Sequence, residues 1–63
     1  MKNSIKELRK QRNLRQEDLA EILGVTRQTV IAIENNKYDP TLELAMKISE
    51  YFGMSVNEIF RLK

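Results

Sequence analysis

The side chains with the most hydrogen-bonding chemistry stand together near the middle of the chain. In GVTRQTVIAIENNK, Gly24 to Lys37, a Gly and a Thr bracket one apolar residue and a short helix then begins. Its first turn offers Arg27, Gln28 and Thr29, rich in donors and acceptors, and none of them apolar. Such a turn either stays solvated or reads a surface that itself presents polar groups. Catalytic chemistry has no comparable foothold. The chain has no His and no Cys, which removes imidazole bases, thiolate nucleophiles and thiolate metal sites. No acidic cluster and no phosphate-binding loop is in view, so no catalytic set assembles. The expectation is a protein that is not an enzyme, with no catalytic residue, cofactor, metal site or evident small-molecule ligand.

The rest of the composition bounds what carries that turn. Sixty-three residues make one domain, spanning 1–63, near the lower limit for folding without disulfides or metals. Apolar residues at 41% and charged residues at 32% suit a soluble globule rather than a disordered tail. No apolar run approaches the roughly 20 residues that span a bilayer, and MKNSIKELRK lacks the apolar centre of a signal peptide. With the lack of Cys, this fits a cytoplasmic protein with no membrane partner.

Charge is unevenly distributed. Residues 1–15 carry Lys2, Lys6, Arg9, Lys10, Arg12 and Arg15 against Glu7 alone, a net of +5. Residues 16–36 carry Glu17, Asp18, Glu21 and Glu34 against Arg27, a net of −3. The first helix is thus available to a polyanion, although a solvated basic face explains the charge equally well.

The pattern predicts five helical segments and nothing with a strand period, an all-α bundle. Ser4 and Glu7 have capping-box spacing, and the first segment should run to about Arg12. The second starts near Gln16, with Leu14 and Leu19 as staple partners and Gly24 as its stop; Arg15 is a poor residue for its cap. Thr26 can cap the third, Val25 and Val30 form its staple, and Val30 and Ile33 face inward. Its end, ENNK, holds Asn residues that tolerate left-handed geometry. Pro40–Thr41 opens a fourth segment, in which Leu44, Ala45, Ile48 and Phe52 recur at helical spacing until Gly53. A short fifth follows, with a Ser55–Glu58 capping box and a Met54–Ile59 staple.

Between the second and third segments only Gly24, Val25 and Thr26 intervene, a connection that forces a steep crossing. Ala20 is small where backbones would approach. Leu19, Leu23, Val25, Val30 and Ile33 would form the buried wedge. The chain from about Ile5 to Phe60 resembles the phage-repressor and Cro-like helix-turn-helix family, of the xenobiotic-response-element type. The resemblance rests on features in register: Gln16, Leu19–Ala20, Gly24, Val25, Thr26–Arg27–Gln28–Thr29, Ile33–Glu34, Lys37, Pro40 and the closing LELAMKISEYFGMSVNEIF. It implies a compact five-helix, lambda-repressor-like DNA-binding domain with its helix-turn-helix at about 16–35.

The resemblance also implies roles. The third helix would lie in the major groove of double-stranded DNA, where Arg27 can fork onto guanine and Gln28 can pair with adenine. Thr29 would add its hydroxyl or methyl, and Ile31 or Ala32 would meet a thymine methyl; Ile31 is equally readable as a peripheral core residue. Gln16, Thr26, Asn35, Lys37 and Tyr38 would hold phosphates, although the Asn pair can simply end the helix and Tyr38 simply cover the core. Arg9 and Glu34 match a buried ion pair of related proteins; the alternative is two exposed charges. Family members usually act as homodimers on palindromes, with half-sites about 34 Å apart. Met54, Val56, Phe60 and Leu62 exceed what one small bundle can bury, so 54–63 is the expected dimer segment, unless Phe60 closes the monomer core. The function implied is transcriptional regulation, most often repression by promoter occupancy. The competing reading is an antitoxin-type or other protein-interaction module in which DNA binding is autoregulatory.

Overall fold

The computed structural model describes residues 1–62. The chain is punctuated by local hydrogen bonds that set where each helix starts and stops. A two-residue strand, β1 (Lys2–Asn3), leads into α1 (Ile5–Gln11). Asn13, at φ 58°, turns the chain toward α2 (Gln16–Leu23). Gly24 ends α2 at φ 73°, and the Val25 amide donates to the Ala20 carbonyl across it at 3.0 Å. That left-handed residue with its six-to-one bond is how a helix closes on a glycine. Two residues later Thr26 Oγ1 accepts from the Thr29 amide at 3.2 Å and starts α3 (Arg27–Glu34).

The same devices recur downstream. Asn36 takes φ 60° and the Lys37 amide donates to the Ala32 carbonyl at 2.8 Å, closing α3. Thr41 caps α4 (Leu42–Phe52), and Gly53 ends it at φ 66°. Ser55 and Glu58 exchange both capping-box bonds at the start of α5 (Val56–Ile59). The last described element is β2 (Phe60–Arg61), antiparallel to β1, with Lys2 opposite Arg61 and Asn3 opposite Phe60.

One apolar cluster joins these pieces. Ile5 of α1, Leu19, Ala20 and Leu23 of α2, Val30 and Ile33 of α3, Leu44, Ala45, Ile48 and Phe52 of α4, and Ile59 and Phe60 are all buried together. Each fully buried Leu, Ile or Val contributes about 1.5–3 kcal/mol. Val25 packs against the cluster from the turn, as a staple residue should. The α2–turn–α3 unit is held from inside by Leu19, Leu23, Val30 and Ile33, which leaves the opposite side of α3 free.

The structure corrects three expectations. Ser4 makes no side-chain cap on α1. The Ile5 amide is taken instead by Asn3 Oδ1 at 3.1 Å, while Ser4 Oγ accepts from Arg61 at 3.1 Å. The β1–β2 pair adds two short strands to the otherwise helical bundle. Phe60, expected at a dimer surface, is only 6% exposed, because pairing of β2 with β1 folds its ring onto the core. Met54 and Val56 also pack partly against that core, and Leu62 alone of the four is open, at 91% exposed.

In the basic amino-terminal region all three arginines make contacts within the fold. Arg9 is buried. Arg12 lies 4.9 Å from the Tyr51 ring centre and 5.1 Å from that of Phe52, and donates to the carbonyls of both residues at 3.2 and 3.4 Å. It places a cation at the negative end of α4. Arg15 pairs with Asp18 at 3.3 Å. Lys2, Lys6 and Lys10 remain exposed.

Candidate nucleic-acid interface

The first turn of α3 is built as a platform. Thr26 supplies the cap, and the Thr26 and Thr29 hydroxyls lie 2.9 Å apart, so both are engaged with each other. Arg27 and Gln28, between them, are exposed. Val30 and Ile33, on the opposite side of the same two turns, are buried. Helical geometry therefore turns Arg27 and Gln28 away from the core. Thr29, Ile31 and Ala32 are half-buried along the flank. At 1.5 Å per residue, the eight residues of α3 extend about 12 Å. Base pairs are spaced about 3.4 Å, so such a helix can span only three or four of them.

Two groups of polar residues flank this turn. One is the start of α2, where Gln16 occupies the first helical position. Its side chain is half-buried, and Nε2 donates to Glu34 Oε1 at 3.2 Å. Glu34 is also the partner of Arg9: Nε to Oε2 is 2.8 Å and Nη2 to Oε1 is 3.2 Å, a two-pronged contact. The Arg9 and Glu34 side chains are 9% and 2% exposed. Arg9 Nη1 donates further to the Leu14 carbonyl at 2.8 Å. One buried cluster thus ties α1, the entry to α2 and the last residue of α3 together. Beside it, the Arg15 backbone amide and then its guanidinium hold the Asp18 carboxyl below its ordinary range, and Asp18 in turn raises Arg15.

The other group is the connection after α3, where Asn35, Lys37 and Tyr38 are exposed. Asn36, left-handed, sets the direction in which the chain leaves the helix. Asn3 was not among the expected residues, yet it reaches this turn: Nδ2 donates to the Ile33 carbonyl at 2.8 Å and to Asn36 Oδ1 at 3.3 Å. The available signal was an Asn two residues before the first apolar residue of α1, a spacing that lets its side-chain oxygen take a helix-start amide. Among the described residues no buried side-chain nitrogen or oxygen lacks a hydrogen-bond partner. Among these residues there is no group of His, Cys, Asp or Glu suited to a metal and no helix long and apolar enough to cross a membrane.

Comparison with known proteins bears on this arrangement directly. The family model described as helix-turn-helix matches residues 5–59. A helix-turn-helix-type transcriptional regulator of Methanocaldococcus jannaschii is 58% identical over 60 residues, covering 95% of this chain and 91% of the relative. Another, from Bacillus subtilis, is 51% identical over 63 residues, covering 100% of this chain and 96% of the relative. The cryptic phage CTXphi transcriptional repressor RstR of Vibrio cholerae is 33% identical over 57 residues, 90% of this chain and 51% of that protein. The span from α1 through α5 is the matched span, with the polar turn of α3 at its centre. The chain belongs to the Cro/C1-type helix-turn-helix family of transcriptional regulators, non-enzymatic proteins that carry a DNA-binding domain.

Proposed function

We propose that this protein is a sequence-specific repressor that binds a palindromic operator as a homodimer, with α3 of each copy in the major groove. The observation that carries the reading is the exposed Arg27–Gln28 pair on a helix whose other face is locked into the core. A helix inserted between phosphate backbones meets base edges that offer donors and acceptors. Arg27 suits guanine O6 and N7, and Gln28 suits adenine N6 and N7; each bidentate contact gives about 1–3 kcal/mol of discrimination. Ile31 and Ala32, half-exposed further along, supply apolar contact for thymine methyls.

Phosphates are held on both sides. Gln16 keeps one amide hydrogen beyond its bond to Glu34, and the amides at the start of α2 favour an anion. Thr26, Asn35, Lys37 and Tyr38 contact the backbone from the two ends of α3. These contacts set register without reading sequence. Three or four base pairs are too few to specify a site, which favours a second copy on the next turn of the duplex, about 34 Å away. The molecule measures 25 × 23 × 20 Å, so two copies fit at that spacing without overlap. Leu62, with the exposed parts of Met54 and Val56, provides the apolar contact between them. The CTXphi relative is a transcriptional repressor, which supports repression as the role.

Selection of bound duplexes from a random pool, followed by footprinting at two salt concentrations, tests this reading. The expected result is a palindromic consensus whose half-sites are one helical turn apart. Enrichment of no consensus, or of a single unpaired half-site, contradicts it.

A further inference from the structure

We infer that Asn3 is a positioning residue for the phosphate-contacting turn after α3; the inference rests on the proposed contact by Lys37. Asn3 is fixed at both ends of its own short element. Its backbone lies opposite Phe60 in the β1–β2 pair, and the next amide, that of Ser4, donates to the Ile59 carbonyl at 3.0 Å. Phe60 and Ile59 are core residues. The backbone of Asn3 is thus anchored to the core and not to the surface loop its side chain touches.

From that anchor three of its side chain's four hydrogen-bonding capacities are used. Oδ1 accepts from the Ile5 amide, and Nδ2 donates to the Ile33 carbonyl and to Asn36 Oδ1. Ile33 is in the last turn of α3, where carbonyls lack helical partners. Its carbonyl also accepts from the Asn36 amide at 3.0 Å, so Asn3 fills the remaining lone pair. Asn36 is the left-handed residue that turns the chain, and Lys37 follows it directly. Asn tolerates that conformation better than most non-glycine residues but less freely than glycine, so surrounding bonds help to hold it. Asn3 grips both sides of this hinge, the carbonyl before it and the side chain on it. Without that grip the hinge samples other conformations, and Lys37 must be ordered at the moment of binding.

A double-mutant cycle separates this role from simple support of the fold. Asn3→Ser leaves a short hydroxyl beside the Ile5 amide but cannot reach Ile33 or Asn36. Wild type, Asn3→Ser, Lys37→Ala and the double variant are titrated against a fluorescein-labelled duplex of mixed sequence at low salt, each checked for folding by thermal melt. Loss of one or two ordinary hydrogen bonds predicts that Asn3→Ser weakens binding about 2- to 10-fold when Lys37 is present. In the Lys37→Ala background the same change has little effect. Equal losses in both backgrounds, or no loss in the first, overturn the positioning role. No loss from Lys37→Ala itself removes the phosphate contact, and the inference falls with it. Amide hydrogen exchange provides the second readout: Asn3→Ser speeds exchange at Lys37 while leaving the core amides of α4 unchanged, and unchanged exchange at Lys37 contradicts the proposal.

Discussion

Replacing Arg9 by Met should destabilise this protein far more than any surface charge change. In the native fold the Arg9 guanidinium holds the Glu34 carboxylate through two bonds, and the Glu34 side chain is only 2% exposed. Removing the cation leaves that carboxylate buried with a single neutral donor, Gln16. Breaking a buried pair from one side costs about 3–5 kcal/mol, because the remaining charge is neither solvated nor paired. The bond from Arg9 to the Leu14 carbonyl is lost as well, at about 0.5–1.5 kcal/mol. A 63-residue chain has a total stability of roughly 3–9 kcal/mol. The single change, about 3.5–6.5 kcal/mol in total, therefore takes between about two-fifths and all of it. At about 4–8 °C per kcal/mol for a domain of this size, the melting temperature falls by at least about 12 °C. Urea and thermal melts followed by circular dichroism measure this. The companion Arg9→Met/Glu34→Leu variant should recover most of the loss, since apolar replacement of a buried pair is often neutral or stabilising. A loss below about 1 kcal/mol for Arg9→Met, the value of an exposed pair, would refute the account, as would a double variant no more stable than the single one.

Two further expectations concern binding and acidity. Lys37→Ala should weaken binding to selected and scrambled duplexes alike and lower the slope of log affinity against log salt by about one, read by anisotropy over a salt series. Glu58 is held below the ordinary Glu range, first by the Ser55 backbone amide and then by the Ser55 side chain. The unfolded chain therefore binds that proton more readily, and the contribution of Glu58 is complete above the ordinary Glu pKa of about 4.3 and lost as pH falls through the lower folded value. Glu58→Gln should flatten the fall in urea midpoint between neutral pH and about pH 3, and an unchanged slope would exclude the carboxylate as its source.

How much of this was legible in the sequence follows from how local each determinant is. Gly24, Thr26, Gly53 and the Ser55–Glu58 box act within one turn, so the residues that stop and start those helices can be read by position. The spacing of Val30 with Ile33, and of Leu44, Ala45, Ile48 and Phe52, likewise marks the buried faces. The β1–β2 pair could not be read that way. Two residues per strand are too few to express a period, and the pairing joins opposite ends of the chain. Two other misreadings follow from that one. Phe60 looked surplus to the core because nothing local returns it there, and the Ser4 capping pattern gave way to Asn3 because β1 already holds Asn3 beside the first turn of α1. The contacts of the arginines in the first fifteen residues were illegible for a related reason. Charge counted along a chain does not say that Arg9 faces Glu34, or that Arg12 lies on the end of α4.

The central claim is that the outward turn at the start of α3 reads bases. Titrating wild type and Gln28→Ala against the selected duplex and a scrambled one tests it most directly. The account predicts that the substitution weakens the selected complex by about 1–3 kcal/mol, about 5- to 150-fold, while scrambled DNA is bound nearly as before. Equal losses on the two duplexes, or none on either, would contradict it.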